Sequence, residues 1–133
     1  MTVWFDGMSL PVADLDRSIN FYESLGFTLE GRSNKFALLR QGGGTIGLLR
    51  TRPIETGEQP VQFKQRALVQ LELSTDDLDG LYQDLLTRGL PVRPPKNLPW
   101  ERQMQVRDPD GFTVEFSEGR RIDHVRNETE PTM

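Results

Sequence analysis

The 133-residue chain contains no cysteine and a single histidine, His124. The first absence excludes a disulfide framework, a thiolate nucleophile and a Cys-based zinc site. The second leaves a two-His, one-carboxylate iron site without its imidazole pair within one chain. No run approaches the roughly 18–20 apolar residues of a membrane span. The opening "MTVWFDGMSL" lacks the basic start and apolar stretch of a secretory signal, so a cytoplasmic location is expected. Positive charge is also short: 16 Lys and Arg against 20 Asp and Glu leave a net charge of −4. Phosphate backbones need clustered cations, so no nucleic-acid partner is expected. An acidic surface either keeps the chain soluble or draws cationic small molecules to it.

What the chain does have is an internal repeat. "VADLDRSINFYESLGF" (12–27) aligns without a gap on "TDDLDGLYQDLLTRGL" (75–90), matching Asp14 with Asp77, Leu15 with Leu78 and Gly26 with Gly89. Each copy predicts a helix. Leu15, Ile19, Tyr22 and Leu25 form one apolar stripe, and Leu78, Leu81, Tyr82 and Leu85 form the other. Asp14 and Asp77 are N-cap residues whose short acceptors bind the free amides of the first turn. Gly26 and Gly89 stand where a left-handed terminal residue is wanted.

Strands flank each helix. Met8, Leu10 and Val12 alternate with Gly7, Ser9 and Pro11 before the first, and Val69, Leu71 and Leu73 with Gln70, Glu72 and Ser74 before the second. "FTLEG", "KFALLRQ" and "TIGLLRT" follow the first helix, with "QGGG" as the hairpin turn. A short "LPVRP", then "RQMQVR" and "FTVEFSE" follow the second, with "DPDG" as the turn. The prediction is an α+β chain of two βαβββ modules in a single domain, 1–118. Module 1 covers about 3–51, a Pro- and charge-rich linker about 52–66, and module 2 about 67–118. Residues 119–133 read as a flexible tail.

One face of the first and last strands is apolar and belongs under the helices. The other carries Ser9, Gln70, Glu72, Gln103, Gln105, Thr113 and Glu115. Aligning Gly44 with Gly111 puts Leu48 opposite Glu115 in the repeat. This mixed face is either washed by solvent or, if the sheets pair and curl, the wall of a cleft. Glu115 sits mid-strand between apolar neighbours, where an unpaired carboxylate is costly. Gln70, water, Arg102, Arg50 or a cationic ligand would satisfy it. Three roles stay open for it: an inert hydrogen-bonded remnant, an acceptor for a ligand amine or hydroxyl, and a general base in a lyase or isomerase.

The repeat, together with "LPVADLDRSINFYESLGF" (10–27), "DDLDGLYQDLLTRG" (76–89) and "PWERQMQVRDPDGFTVEF" (99–116), resembles the vicinal oxygen chelate superfamily of glyoxalases, bleomycin-resistance proteins and extradiol dioxygenases. The resemblance implies a cup-shaped mixed sheet with helices outside, a cleft within, and usually a homodimer. Metal-dependent relatives hold a divalent ion from the first strand of each half and from the last strands. Those positions fall here at Gly7, Gln70, Leu48 and Glu115, and neither Gly7 nor Leu48 offers a donor. No cofactor is therefore expected; a weakly bound divalent ion would have Gln70 and Glu115, aided by Glu72 if a bulge turned it. "PWERQMQVRDPDG" is similar to a segment of the bleomycin-resistance proteins, with Glu101 in place of the family's glycine. In that resemblance Trp100 lines the ligand groove; the alternative is that it closes the edge of the core.

The expectation drawn from all of this is a small-molecule-binding protein of the bleomycin-resistance kind, giving antibiotic resistance by sequestration in a metal-free cleft. Ser9, Leu48, Gln70, Trp100, Gln103 and Glu115 are its candidate lining, and a cationic or aromatic molecule its candidate ligand. The alternatives are a glyoxalase-like or dioxygenase-like enzyme with an incomplete metal site and Glu115 as its catalytic residue, and an interaction module with a vestigial cleft.

Overall fold

The computed structural model describes residues 1–51 and 66–119. The first half runs β1 (Gly7–Val12), α1 (Leu15–Ser24), β2 (Thr28–Arg32), β3 (Phe36–Gln41) and β4 (Gly44–Arg50). After a 3-10 turn at Arg66–Leu68, the second half runs β5 (Gln70–Thr75), α2 (Leu78–Thr87), β6 (Lys96–Asn97), β7 (Arg102–Arg107) and β8 (Thr113–Glu118). The sheets have strand orders β1-β4-β3-β2 and β5-β8-β7-β6. In each, the first strand runs parallel to the last and the other pairs are antiparallel. The chain is thus α+β with two βαβββ modules. The expected linker (52–66) and tail (119–133) lie, apart from Arg66 and Gly119, outside the described residues. No helix among the described residues is long and apolar enough to cross a membrane.

Both helices start and stop where the chemistry dictates. Asp14 accepts a hydrogen bond from the Arg17 amide at 3.0 Å, and Asp77 one from the Gly80 amide at 2.9 Å. Gly26 and Gly89 follow the last turns with φ of 97° and 81°. The stripe of α1 is buried at Leu15, Ile19, Tyr22 and Leu25. In α2 only Leu78 and Leu85 are fully buried, and Leu81 and Tyr82 are half-buried. One expected strand does not form. "LPVRP" forms no strand pair among the described residues, because Pro91 and Pro94 carry no backbone N–H for a ladder. Pairing begins instead at Lys96 and Asn97, opposite Gln103 and Arg102.

Two compact units divide the chain: the first module together with Asp108–Gly111, and the rest of the second module. In the first unit, α1 packs on β2, β3 and β4 over a core that includes Leu10, Val12, Ala37, Leu39 and Leu48. In the second, α2 packs on β7 and β8 over Leu71, Met104, Val106, Val114 and Phe116.

The turn 108–111 is held in the first unit by two buried carboxylates. Tyr22, fully buried with Phe21 and Phe27 packed edge-on against its ring, donates its hydroxyl to Asp108 at 2.7 Å. Asp110 accepts from the Ala13 amide at 2.9 Å and from the Ser18 hydroxyl at 3.2 Å, with Arg17 3.7 Å away. Burial raises the Tyr22 pKa far above its ordinary value of 10.0; the negative charge of Asp108, the hydrogen bond to it and the charge of Asp110 add to the rise. The folded state therefore keeps this proton after the unfolded chain has lost its own. Tyr22 supports stability fully below about pH 10, and that support falls by about 1.4 kcal/mol per pH unit above it. Urea melts at stepped pH should show this alkaline decline in the wild type and a shallower one in Tyr22→Phe. Equal slopes would contradict the assignment.

Candidate ligand-binding site

Alternation along β8 sends Val114 and Phe116 to the helix and Thr113, Glu115 and Ser117 to the other face. The register fixes what joins them there: Gln70, Glu72 and Ser74 from β5, and Arg107, Gln105 and Gln103 from β7. Of the sequence-derived candidates, Gln70, Gln103 and Glu115 thus share one polar sheet face. Glu115 is only 8% exposed, although Glu72 and Gln105 on either side of it are exposed. Its strand lies between β5 and β7. Arg102 is not turned toward it: the alternation places Arg102 with Met104 and Val106, where it binds Asp79 on α2 at 3.0 Å, Asn97 at 2.8 Å and Glu118 at 3.3 Å.

Beside this face lies a cavity of about 350 Å³, with Pro91, Arg93, Pro94 and Lys96 on one side and β7 from Gln103 to Arg107 on the other. It exists because the proline segment runs past β7 without pairing to it. Gln103 reaches it while also donating to Glu101 at 3.0 Å. Arg107 donates to the Thr113 hydroxyl at 2.7 Å, and that hydroxyl donates to the Ala67 carbonyl at 2.7 Å. Trp100 is 46% exposed on the bend before β7 and does not line this cavity. The sequence reading missed Arg93, Lys96 and Arg107. Arg107 was within its reach, since it alternates with Gln103 and Gln105; the other two depend on the path of "PVRPPK", which periodicity does not encode.

Leu48 requires a correction. It pairs with Leu10 and Ala37, all three at most 1% exposed beneath α1, and so belongs to the core rather than to a cleft face. Gly7 pairs with Thr45 as Gln70 pairs with Thr113, which makes Gly47 the counterpart of Glu115. The turn glycines are one residue out of step, and one residue turns a strand over. Ser9 does lie on the non-helical face of its sheet, paired with Gly47 and exposed.

The donor set does not fit the divalent metal of the metal-dependent relatives. Gly7 and Gly47 have no side chain, and a Cβ added at Gly7 would sit 2.0 Å from the Thr45 carbonyl oxygen. Among the described residues no three His, Cys, Asp or Glu side chains gather as a metal-holding group. His124 lies outside the described residues.

Comparison with known proteins places this architecture. The sequence model of the glyoxalase/bleomycin resistance protein/dioxygenase superfamily matches residues 4–116. No curated protein matches the chain in sequence. Among solved structures, it is similar to TnmS3, an antibiotic binding protein from Streptomyces sp. CB03234, at 28% identity over 88% of this chain and 97% of that one, with a TM-score of 0.67. A bleomycin-binding protein complexed with bleomycin shares the fold at 22% identity, 90% and 100% coverage and a TM-score of 0.67. So does the fosfomycin resistance protein FosX from Mesorhizobium loti, at 18% identity, 94% and 99% coverage and a TM-score of 0.71. With its two βαβββ modules and a family match spanning both, the chain belongs to the glyoxalase/bleomycin resistance protein/dioxygenase superfamily.

Proposed function

We propose that the chain is a small-molecule-binding protein that sequesters an organic ligand, without a metal, on the polar sheet face of its second module. The observation that carries this reading is the cavity of about 350 Å³ opening beside a face whose central carboxylate, Glu115, is 8% exposed. Small-molecule sites start at about 300 Å³ and combine apolar walls with a few placed polar groups. Here Pro91 and Pro94 supply the apolar wall, and Gln103 and Gln105 the amides. Glu115, register partner of Gln105, stands one strand in from the cavity, as an acceptor for an amine or hydroxyl of a ligand that extends from the cavity over the sheet face. Likeness to an antibiotic binding protein at 28% identity supports sequestration over catalysis.

The test is equilibrium dialysis of the chelator-treated protein against bleomycin and a panel of aromatic antibiotics. At least one compound should bind at micromolar affinity. Glu115→Gln should weaken it about tenfold, the loss of roughly one charge-assisted hydrogen bond, with an unchanged circular dichroism spectrum. Trp100→Ala, tested beside it, decides whether the bend before β7 belongs to the site. Affinity that appears only on adding a divalent ion, or that ignores Glu115→Gln, would sink the reading.

A further inference from the structure

The charges around the cavity run against those of the chain. The sequence carries 20 acidic and 16 basic residues, yet Arg93, Lys96 and Arg107 line this one space and, among the described residues, no carboxylate does. Five other described arginines pair with carboxylates: Arg17 with Asp110, Arg32 with Asp16, Arg40 with Glu30, Arg88 with Asp84 and Arg102 with Asp79 and Glu118. The three cavity cations form no ion pair with a carboxylate among the described residues; Arg107 spends one N–H on Thr113 and keeps the rest. The edge of β7 adds to this. Since β6 pairs only with Arg102 and Gln103, residues 104–107 have no strand neighbour on the cavity side among the described residues.

We propose that this cavity binds the anionic group of the ligand, a phosphate or carboxylate attached to a compact organic body. The inference rests on the binding function proposed above and names the ligand's chemistry. Two guanidinium groups offer paired N–H donors to a planar or tetrahedral oxyanion, and the Lys96 ammonium adds a point charge. Gln103 and Gln105 supply neutral donors, and the wall of Pro91 and Pro94 takes the apolar body. The preferred ligand therefore carries an acidic group at this end, where a purely cationic one would be repelled.

Amide chemical-shift titration of the full chain with phenyl phosphate, pyrophosphate and benzylamine tests this. Phenyl phosphate should bind with shifts concentrated in residues 91–96 and 103–107, and more weakly as salt is added. Arg93→Gln with Lys96→Gln should weaken it about tenfold or more, as should Arg107→Gln, each removing a charge-assisted contact. Lys35→Gln with Arg50→Gln, which removes two charges elsewhere, should leave it unchanged. Pyrophosphate binding at the same amides would show that the anion suffices; its failure beside phenyl phosphate would show that the apolar wall is needed, and both outcomes support the site. Shifts scattered over the surface, or an affinity indifferent to the cavity cations, would overturn the inference. So would benzylamine binding there in place of phenyl phosphate. Benzylamine binding that depends on Glu115 while phenyl phosphate fails would leave the binding function standing without this site; failure of every probe would remove both.

Discussion

Leu48→Glu should abolish the folded state, while Leu49→Glu one position later should leave stability within about 1 kcal/mol of wild type. Leu48 is fully buried between Leu10 and Ala37 under α1, whereas Leu49 is 45% exposed on the opposite face of β4. Removing the leucine forfeits about 1.5–3 kcal/mol of apolar burial. The glutamate then either buries an uncompensated charge or takes up a proton to avoid it, and both add to the cost. The sum exceeds about 4 kcal/mol, a large share of the 5–15 kcal/mol that holds a typical domain together. At Leu49 the new carboxylate stays in water. Circular dichroism and urea titration of the two variants decide the matter, and Leu48→Ala provides a measurable midpoint if Leu48→Glu is not recovered. A stable Leu48→Glu would restore Leu48 to the face of Glu115 and overturn the register.

That pair of substitutions shows where the sequence was readable and where it stopped. The helices were legible because each is specified locally: an Asp cap, an apolar stripe and a terminal Gly lie within twelve residues of one another. The faces of β1, β5 and β8 were legible because they can be counted from within each strand. The equivalence between β4 and β8 was not, since it passes through two unlike turns. "QGGG" closes a two-residue hairpin in which Gln41 already pairs with Gly44, while five residues separate Arg107 from its partner Thr113. Matching the last glycine of each turn joins a strand residue to a loop residue and inverts every assignment beyond it. The cavity was out of reach for a related reason. It is bounded by a segment defined by what its prolines cannot do, and no period in "LPVRPPK" says how far from β7 that segment runs.

In sequence the acidic turn "DPDG" is a plain connector between two strands; in the structure its carboxylates are its anchor. Asp110→Ala should cost about 3 kcal/mol or more. The carboxylate is 1% exposed and serves two buried donors, the Ala13 amide and the Ser18 hydroxyl, and each orphaned donor costs about 1–3 kcal/mol. Arg17, half exposed at 3.7 Å, adds little by itself. The turn also braces itself, because the Asp110 amide donates to Asp108 at 2.9 Å and Asp108 accepts from Tyr22. Losing Asp110 thus releases the turn from the start of α1 and loosens the partner carboxylate with it. Asp110→Asn keeps an acceptor of the same shape and should lose only about half as much, while Ser18→Ala removes one donor together with its need for a partner and should cost about 1 kcal/mol. Urea denaturation of the three variants gives the ordering Asp110→Ala, Asp110→Asn, Ser18→Ala from most to least destabilised. Because β7 and β8 meet at this turn, the same variants report on the site: with Asp110→Asn still folded, a ligand held by Gln103, Gln105 and Arg107 should dissociate faster. An Asp110→Ala protein as stable as wild type would show that the turn needs no anchor and that β7 and β8 fix its course unaided.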